Sequence, residues 1–177
     1  MPSELPEGVA EVLIQESDLA QRVRELAEEI SRDYAGRRPL LVACLKGAFV
    51  FLADLVRHLR VPVEIDFVRL ASYGSGTESC GRVAITKDLE TDPQGRDVIV
   101  VDDIVDTGET LCYLIHTLRA RSPASLRVCA LLDKPARRRR AVRVDYLGFT
   151  IPDRFVVGYG LDCGEKYREL PFVGIVK

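Results

Sequence analysis

The chain has 177 residues, 47% of them hydrophobic, which is enough for one domain with a single sizeable core and too few for two. Its 25 Lys and Arg against 27 Asp and Glu leave a net charge of −2, which excludes a bulk electrostatic pull toward nucleic acid or acidic membranes, so any basic function must be local. The N-terminal MPSELPEGVAEVLIQ has neither a basic n-region nor an apolar h-region, and no run approaches the roughly 18 apolar residues of a spanning helix, so a soluble cytoplasmic protein is expected.

In chain order, Glu11–Ile14 is a short apolar run that suits an edge strand. Leu19, Val23, Leu26, Ala27 and Ile30 then recur at helical spacing, with Ser17 as N-cap and Gly36 past the end. Leu40–Leu45 is continuously apolar and reads as a strand buried on both faces; after Lys46-Gly47, the stripe in Ala48–Leu59 predicts a helix packed on a sheet. Val61–Leu70 supplies the next strand and completes a βαβ unit. Residues 71–82, with three glycines, three serines and a threonine, read as a flexible loop or hairpin tip, and Val83–Ile85 as its returning strand. Beyond the helix at Leu111–Ala120, strands are expected at Ser125–Leu132, Val142–Phe149, Phe155–Tyr159 and Phe172–Val176, with Arg137–Arg140 as a solvated basic turn. Cys44, Cys80, Cys112, Cys129 and Cys163 form no C-x-x-C pair, which suggests neither a disulfide framework nor a zinc site. Cys44, Cys112 and Cys129 sit in apolar runs and read as core filler. Strands alternating with helices through residue 132, then mostly strands, predict an α/β fold with a mostly parallel sheet flanked by helices.

The stretch VIVVDDIVDTGETL, Val98–Leu111, carries the chemistry. A buried β-branched strand runs into Asp102 and Asp103, then into Asp106-Thr107-Gly108-Glu109-Thr110, which opens a helix. Ligands of open parallel sheets bind beyond the carboxyl ends of strands, where a carboxylate pair suits a ribose diol or a hydrated metal ion. Thr107 and Thr110 hydroxyls, Gly108 and the N–H groups of a helix start suit a phosphate. Neither a Walker A loop nor a G-x-G-x-x-G occurs, so P-loop hydrolysis and dinucleotide binding lose their main support.

This stretch resembles the phosphoribosyl pyrophosphate (PRPP) motif of the type I phosphoribosyltransferases. LKG at Leu45–Gly47, SYGSG at Ser72–Gly76, LLDKP at Leu131–Pro135 and IPDRFVVGYGLDCGEKYRELP at Ile151–Pro171 extend the resemblance to the hypoxanthine-guanine phosphoribosyltransferases over nearly the whole chain. The resemblance implies a single domain, residues 1–177, with a core over about 35–150 and a small hood from the N-terminal segment and about 151–177. It implies transfer of the phosphoribosyl group from PRPP to hypoxanthine or guanine, with Mg2+ as cofactor and a homodimer or homotetramer as the assembly.

By the same resemblance, Asp102 and Asp103 hold the ribose hydroxyls and Asp106 through Thr110, Glu109 included, cradle the 5′-phosphate. Asp106 takes the proton from purine N7; Lys134 meets the 6-oxo group, Phe155 stacks on the base and Val156 meets its edge. Asp162 is placed near the base and on the metal, with Asp102 and Asp103 as further metal candidates; Lys46, Gly47 and Arg168 meet pyrophosphate; Ser72 and Tyr73 belong to a lid. Many relatives carry Glu where Asp102 stands, so this carboxylate is one methylene shorter. Two other readings compete: a PRPP- or nucleotide-sensing regulator of the same fold, and a xanthine-preferring transferase.

Overall fold

Leu40–Leu45 and the start of Asp97–Val105 are apolar without interruption because both faces of each strand are covered by protein. The computed structural model describes residues 5–73 and 82–177, the side chains of Tyr73 and Arg82 excepted. In chain order the elements are β1 (Val9–Ile14), α1 (Glu16–Asp33), β2 (Leu40–Leu45), α2 (Phe49–His58), β3 (Glu64–Tyr73), β4 (Arg82–Lys87), β5 (Asp97–Val105), α3 (Glu109–Arg119), β6 (Ser125–Asp133), β7 (Tyr146–Thr150), β8 (Val156–Val157) and β9 (Val173–Val176). No helix among the described residues is long and apolar enough to cross a membrane.

Six strands form one sheet in the order β4-β3-β2-β5-β6-β7, parallel except for β4. Strand alternation sorts its side chains: Leu41, Ala43, Ile99, Val101 and Leu131 pack with α1 and α2, while Leu40, Val42, Val98, Val100 and Ala130 pack with α3. Each fully buried aliphatic chain contributes about 1.5–3 kcal/mol by leaving water. From β2 the chain adds β3 on one side; from β5 it adds β6 and β7 on the other. The order therefore reverses between β2 and β5, and the loops leaving their carboxyl ends diverge and open a crevice.

A second sheet, β1-β9-β8, is antiparallel and joins both ends of the chain: Val9 registers with Val176 and Ile14 with Val173. The tail is laced to the N-terminal segment by Tyr167, whose hydroxyl donates to Glu7 O at 2.9 Å. Tyr159 donates to Asp54 at 2.6 Å and so ties the hood to α2.

Several boundaries move. The N-cap of α1 is Gln15, with no side-chain cap; Ser17 lies inside the first turn, where Glu16 and Asp18 complement the helix dipole instead. Of the expected strand Val142–Phe149 only residues 146–149 lie in β7, which runs on to Thr150 and enters its ladder after Asp145, whose N–H donates to Val128 O. β8 keeps two residues because Gly158 and Gly160, at φ of 96° and 100°, turn the chain away from the ladder. Of the lid expected around Ser72 and Tyr73, these two residues end β3 and the loop 74–81 lies outside the described residues. Cys80 lies outside them as well.

Candidate active site

β5 does not stop at the acids. It pairs with β2 only as far as Val101, yet its ladder with β6 continues from Asp102 opposite Ala130 to Val105 opposite Asp133. The acids thus stand inside a strand that has lost one neighbour, and the gap is a cavity of about 300 Å³. Asp102, Asp103, Lys46, Gly47, Asp162 and Arg168 line it, which brings residues from three distant segments to one place. The Asp103 N–H donates to Asp102 Oδ1 at 3.1 Å and the Ile104 N–H to Asp103 Oδ1 at 2.9 Å.

Enclosure by protein penalises charge here. Burial, and then the neighbouring Asp103 carboxylate, push the Asp102 carboxyl well above its ordinary value. Asp103 is raised by burial and partly restored by hydrogen bonds from Asp102 and the backbone. Burial and the same two acids push the Cys44 thiol up, so Cys44 borders the site rather than merely filling the core. A pair of crowded carboxylates is suited to a cation that relieves their repulsion. Among the described residues no group of three or more His, Cys, Asp or Glu could hold a metal, so the donor set fits an ion that takes one or two carboxylates and completes its shell with substrate oxygens and water.

At the end of β5, Gly108 adopts φ 81° as N-cap of α3, a left-handed conformation that glycine reaches without penalty, and its α-carbon faces the Arg140 carbonyl too closely for a side chain. A cleft of about 80 Å³ lies against Asp106, Thr107, Gly108 and Thr110. Asp106 Oδ1 is buried and receives no hydrogen bond, although Arg137 Nε stands 3.2 Å away. The run Arg137–Arg140 is a solvated turn at three of its four side chains, and Arg138 is the exception. Arg137 pairs with Asp106, Arg138 turns inward onto Asp133, and the N–H groups of Arg139 and Arg140 donate to Thr107 O. Four identical residues have no periodicity from which sequence could single out the inward one.

Opposite the acids, the loop after β2 carries a cis peptide at Leu45–Lys46. Gly47 packs so closely on Asp103 that a Cβ would overlap its carboxylate, and Gly160 packs likewise on Gly47 O. Lys46 pairs with Glu165 at 2.9 Å. Arg168 pairs with Asp162 at 3.0 Å and donates to Gly160 O at 2.8 Å, while its buried Nε has no acceptor. Glu165, which draws Lys46 and Arg168 together, was not singled out by the sequence; only its spacing from Asp162 and Arg168 could have hinted at it.

Lys134 follows β6 and is 4% exposed, with its backbone N–H on Val105 O and no ion pair among the described residues. A lysine this enclosed, with no anion beside it among the described residues, is suited to serving a ligand. Phe155 is 57% exposed, unusual for an aromatic at a strand edge, and Val156 is buried opposite Ile175. None of these three lines either cavity, but Lys134 adjoins the loop through its N–H bond to Val105 O, while Phe155 and Val156 stand at β8 in the small sheet.

A family model described as "Phosphoribosyl transferase domain" matches residues 11–163. The chain is 44% identical over 169 residues to the hypoxanthine-guanine phosphoribosyltransferase of Bacillus subtilis, covering 96% of this chain and 94% of that one. It is 47% identical over 169 residues to the bifunctional protein TilS/HprT of Listeria innocua, of which it spans only 26%. Its fold is similar to the crystal structure of a hypoxanthine phosphoribosyltransferase from Staphylococcus aureus, with a TM-score of 0.93, 42% identity and coverage of 96% of this chain and 92% of that one.

Proposed function

The chain belongs to the phosphoribosyltransferase family, and from that membership we propose that it transfers the 5-phosphoribosyl group of PRPP to hypoxanthine or guanine, releasing pyrophosphate. The observation that carries the reading is the placement, at the carboxyl ends of neighbouring strands β5 and β6, of an acid pair with an anion-ready loop beside Lys134, which is buried and makes no ion pair among the described residues. One end suits a sugar phosphate and the other a hydrogen-bond acceptor on a base.

Asp102 and Asp103 accept hydrogen bonds from the ribose hydroxyls, and the N–H groups and hydroxyls of Asp106 through Thr110 take the 5′-phosphate. As purine N9 bonds to C1′, the bond from C1′ to the pyrophosphate oxygen breaks and the N7 proton passes to Asp106. The Lys134 ammonium has only donors, so it favours a 6-oxo group and opposes the 6-amino group of adenine. Phe155 stacks on the base, Val156 meets its edge through backbone atoms, and Asp162 stands near the 2-position. Lys46, Gly47 and Arg168 receive the leaving group as it gains charge, and the segment beginning at Ser72 and Tyr73 shields the sugar from water. Mg2+, held by Asp102, Asp103 or Asp162 together with substrate oxygens, supplies charge neutralisation for the phosphates when bound.

The six-stranded core and the small sheet are read as one working domain, and family membership extends the proposal to a homodimer or homotetramer in the cytoplasm. Incubation with PRPP, Mg2+ and hypoxanthine, guanine, xanthine or adenine singly, following pyrophosphate, tests the function. Release is expected with hypoxanthine or guanine and not with adenine; no release with any base while nucleotides still bind would favour the regulatory reading, and release with xanthine alone the xanthine transferase.

A further inference from the structure

The phosphate loop has an unusual polarity, and one side chain maintains it. Val105 O accepts from Lys134 N at 2.9 Å and from Arg138 Nη2 at 3.4 Å, Asp106 O accepts from Arg138 Nε at 3.1 Å, and Thr107 O accepts from Arg139 N at 2.8 Å and Arg140 N at 3.0 Å. Three consecutive carbonyls are therefore drawn toward the segment after β6. In a trans peptide the C=O of one residue and the N–H of the next point in opposite directions, and these peptides are trans. Drawing the carbonyls of 105, 106 and 107 outward turns the N–H groups of 106, 107 and 108 the other way. Among the described residues, the N–H groups of Thr107, Gly108 and Thr110 donate to no acceptor.

We propose that Arg138 is a positioning residue for phosphate binding: its guanidinium, anchored on the Asp133 carboxylate, holds the Val105 and Asp106 carbonyls away so that the main chain of the loop turns N–H donors, not carbonyls, toward a phosphate monoester. Its side chain is 18% exposed, and the planar fork spans two carbonyls and a carboxylate at once, which an ammonium cannot do. Arg139 and Arg140 act on the same loop through main-chain N–H groups, so their exposed side chains are dispensable to it. Asp133 also links the phosphate end to the strand that delivers Lys134. The proposal rests on the functional reading above, which supplies the phosphate.

Calorimetric binding of GMP and guanosine separates the phosphate contribution from that of the base and sugar. Arg138→Met is expected to reduce the ratio of GMP to guanosine affinity about tenfold or more, with guanosine affinity unchanged. Arg138→Lys should give an intermediate ratio and Arg139→Ala the wild-type one. If Arg138→Met fails to fold, Arg138→Lys and Asp133→Asn read the same ratio and should lower it. An unchanged ratio overturns the assignment, as does an equal loss for both ligands, which would mark a merely structural role. Equal or absent affinity for the two ligands in the wild type overturns it too. Lack of turnover with PRPP while the ratio behaves as stated would contradict the enzymatic reading alone.

Discussion

Asp102 and Asp103 share a cavity that disfavours two negative charges, so the free protein carries a cost that a bound cation would relieve. A carboxyl whose pKa rises on folding keeps its proton where the unfolded chain, with a value of about 3.9, has released it. Its contribution to stability is greatest below that value and is lost as pH rises through the folded pKa. Asp102→Asn should therefore raise the thermal midpoint of the free protein at pH 8 and do so less at pH 4, while weakening PRPP binding; a midpoint change equal at both pH values would contradict this account. Asp106 stands differently, at the open end of the strand, with a buried oxygen that lacks a hydrogen bond. Asp106→Asn is expected to lower turnover roughly 10²-fold, with PRPP still bound in equilibrium measurements.

At the scale of elements, what could be read from sequence followed local rules. The runs Leu40–Leu45 and Val98–Val101 were legible because strands buried on both faces need no polar alternation. The acids were legible because two carboxylates after such a run break the pattern, as functional sites do. Their place within the ladder was not, since it depends on β2 leaving one side of β5 while β6 stays on the other. The inward turn of Arg138 likewise depends on Asp133 and two carbonyls that only the fold brings together. Elements also meet at Gly160, where φ is 100° and a Cβ would strike Gly47 O. Gly160→Ala should cost about 1–3 kcal/mol of stability, read from urea unfolding, and raise the KM for PRPP more than that for the purine, because it displaces the Lys46–Gly47 loop and Arg168 together.

Across the whole molecule, the site is assembled from parts far apart in sequence. The hood needs both chain ends, with β9 between β1 and β8, and no local pattern in the N-terminal segment announces its partner. The crevice itself arises from strand order, a global property that composition and periodicity do not encode. On the proposed function, the sugar phosphate sits on the β5–α3 loop and the base is read from the end of β6. A crystal structure of the protein with GMP bound tests it most directly. The 5′-phosphate should lie in the cleft formed by Asp106, Thr107, Gly108 and Thr110, with the purine 6-oxygen within hydrogen-bond reach of Lys134. A phosphate bound elsewhere, or a base turned away from Lys134, would contradict the account.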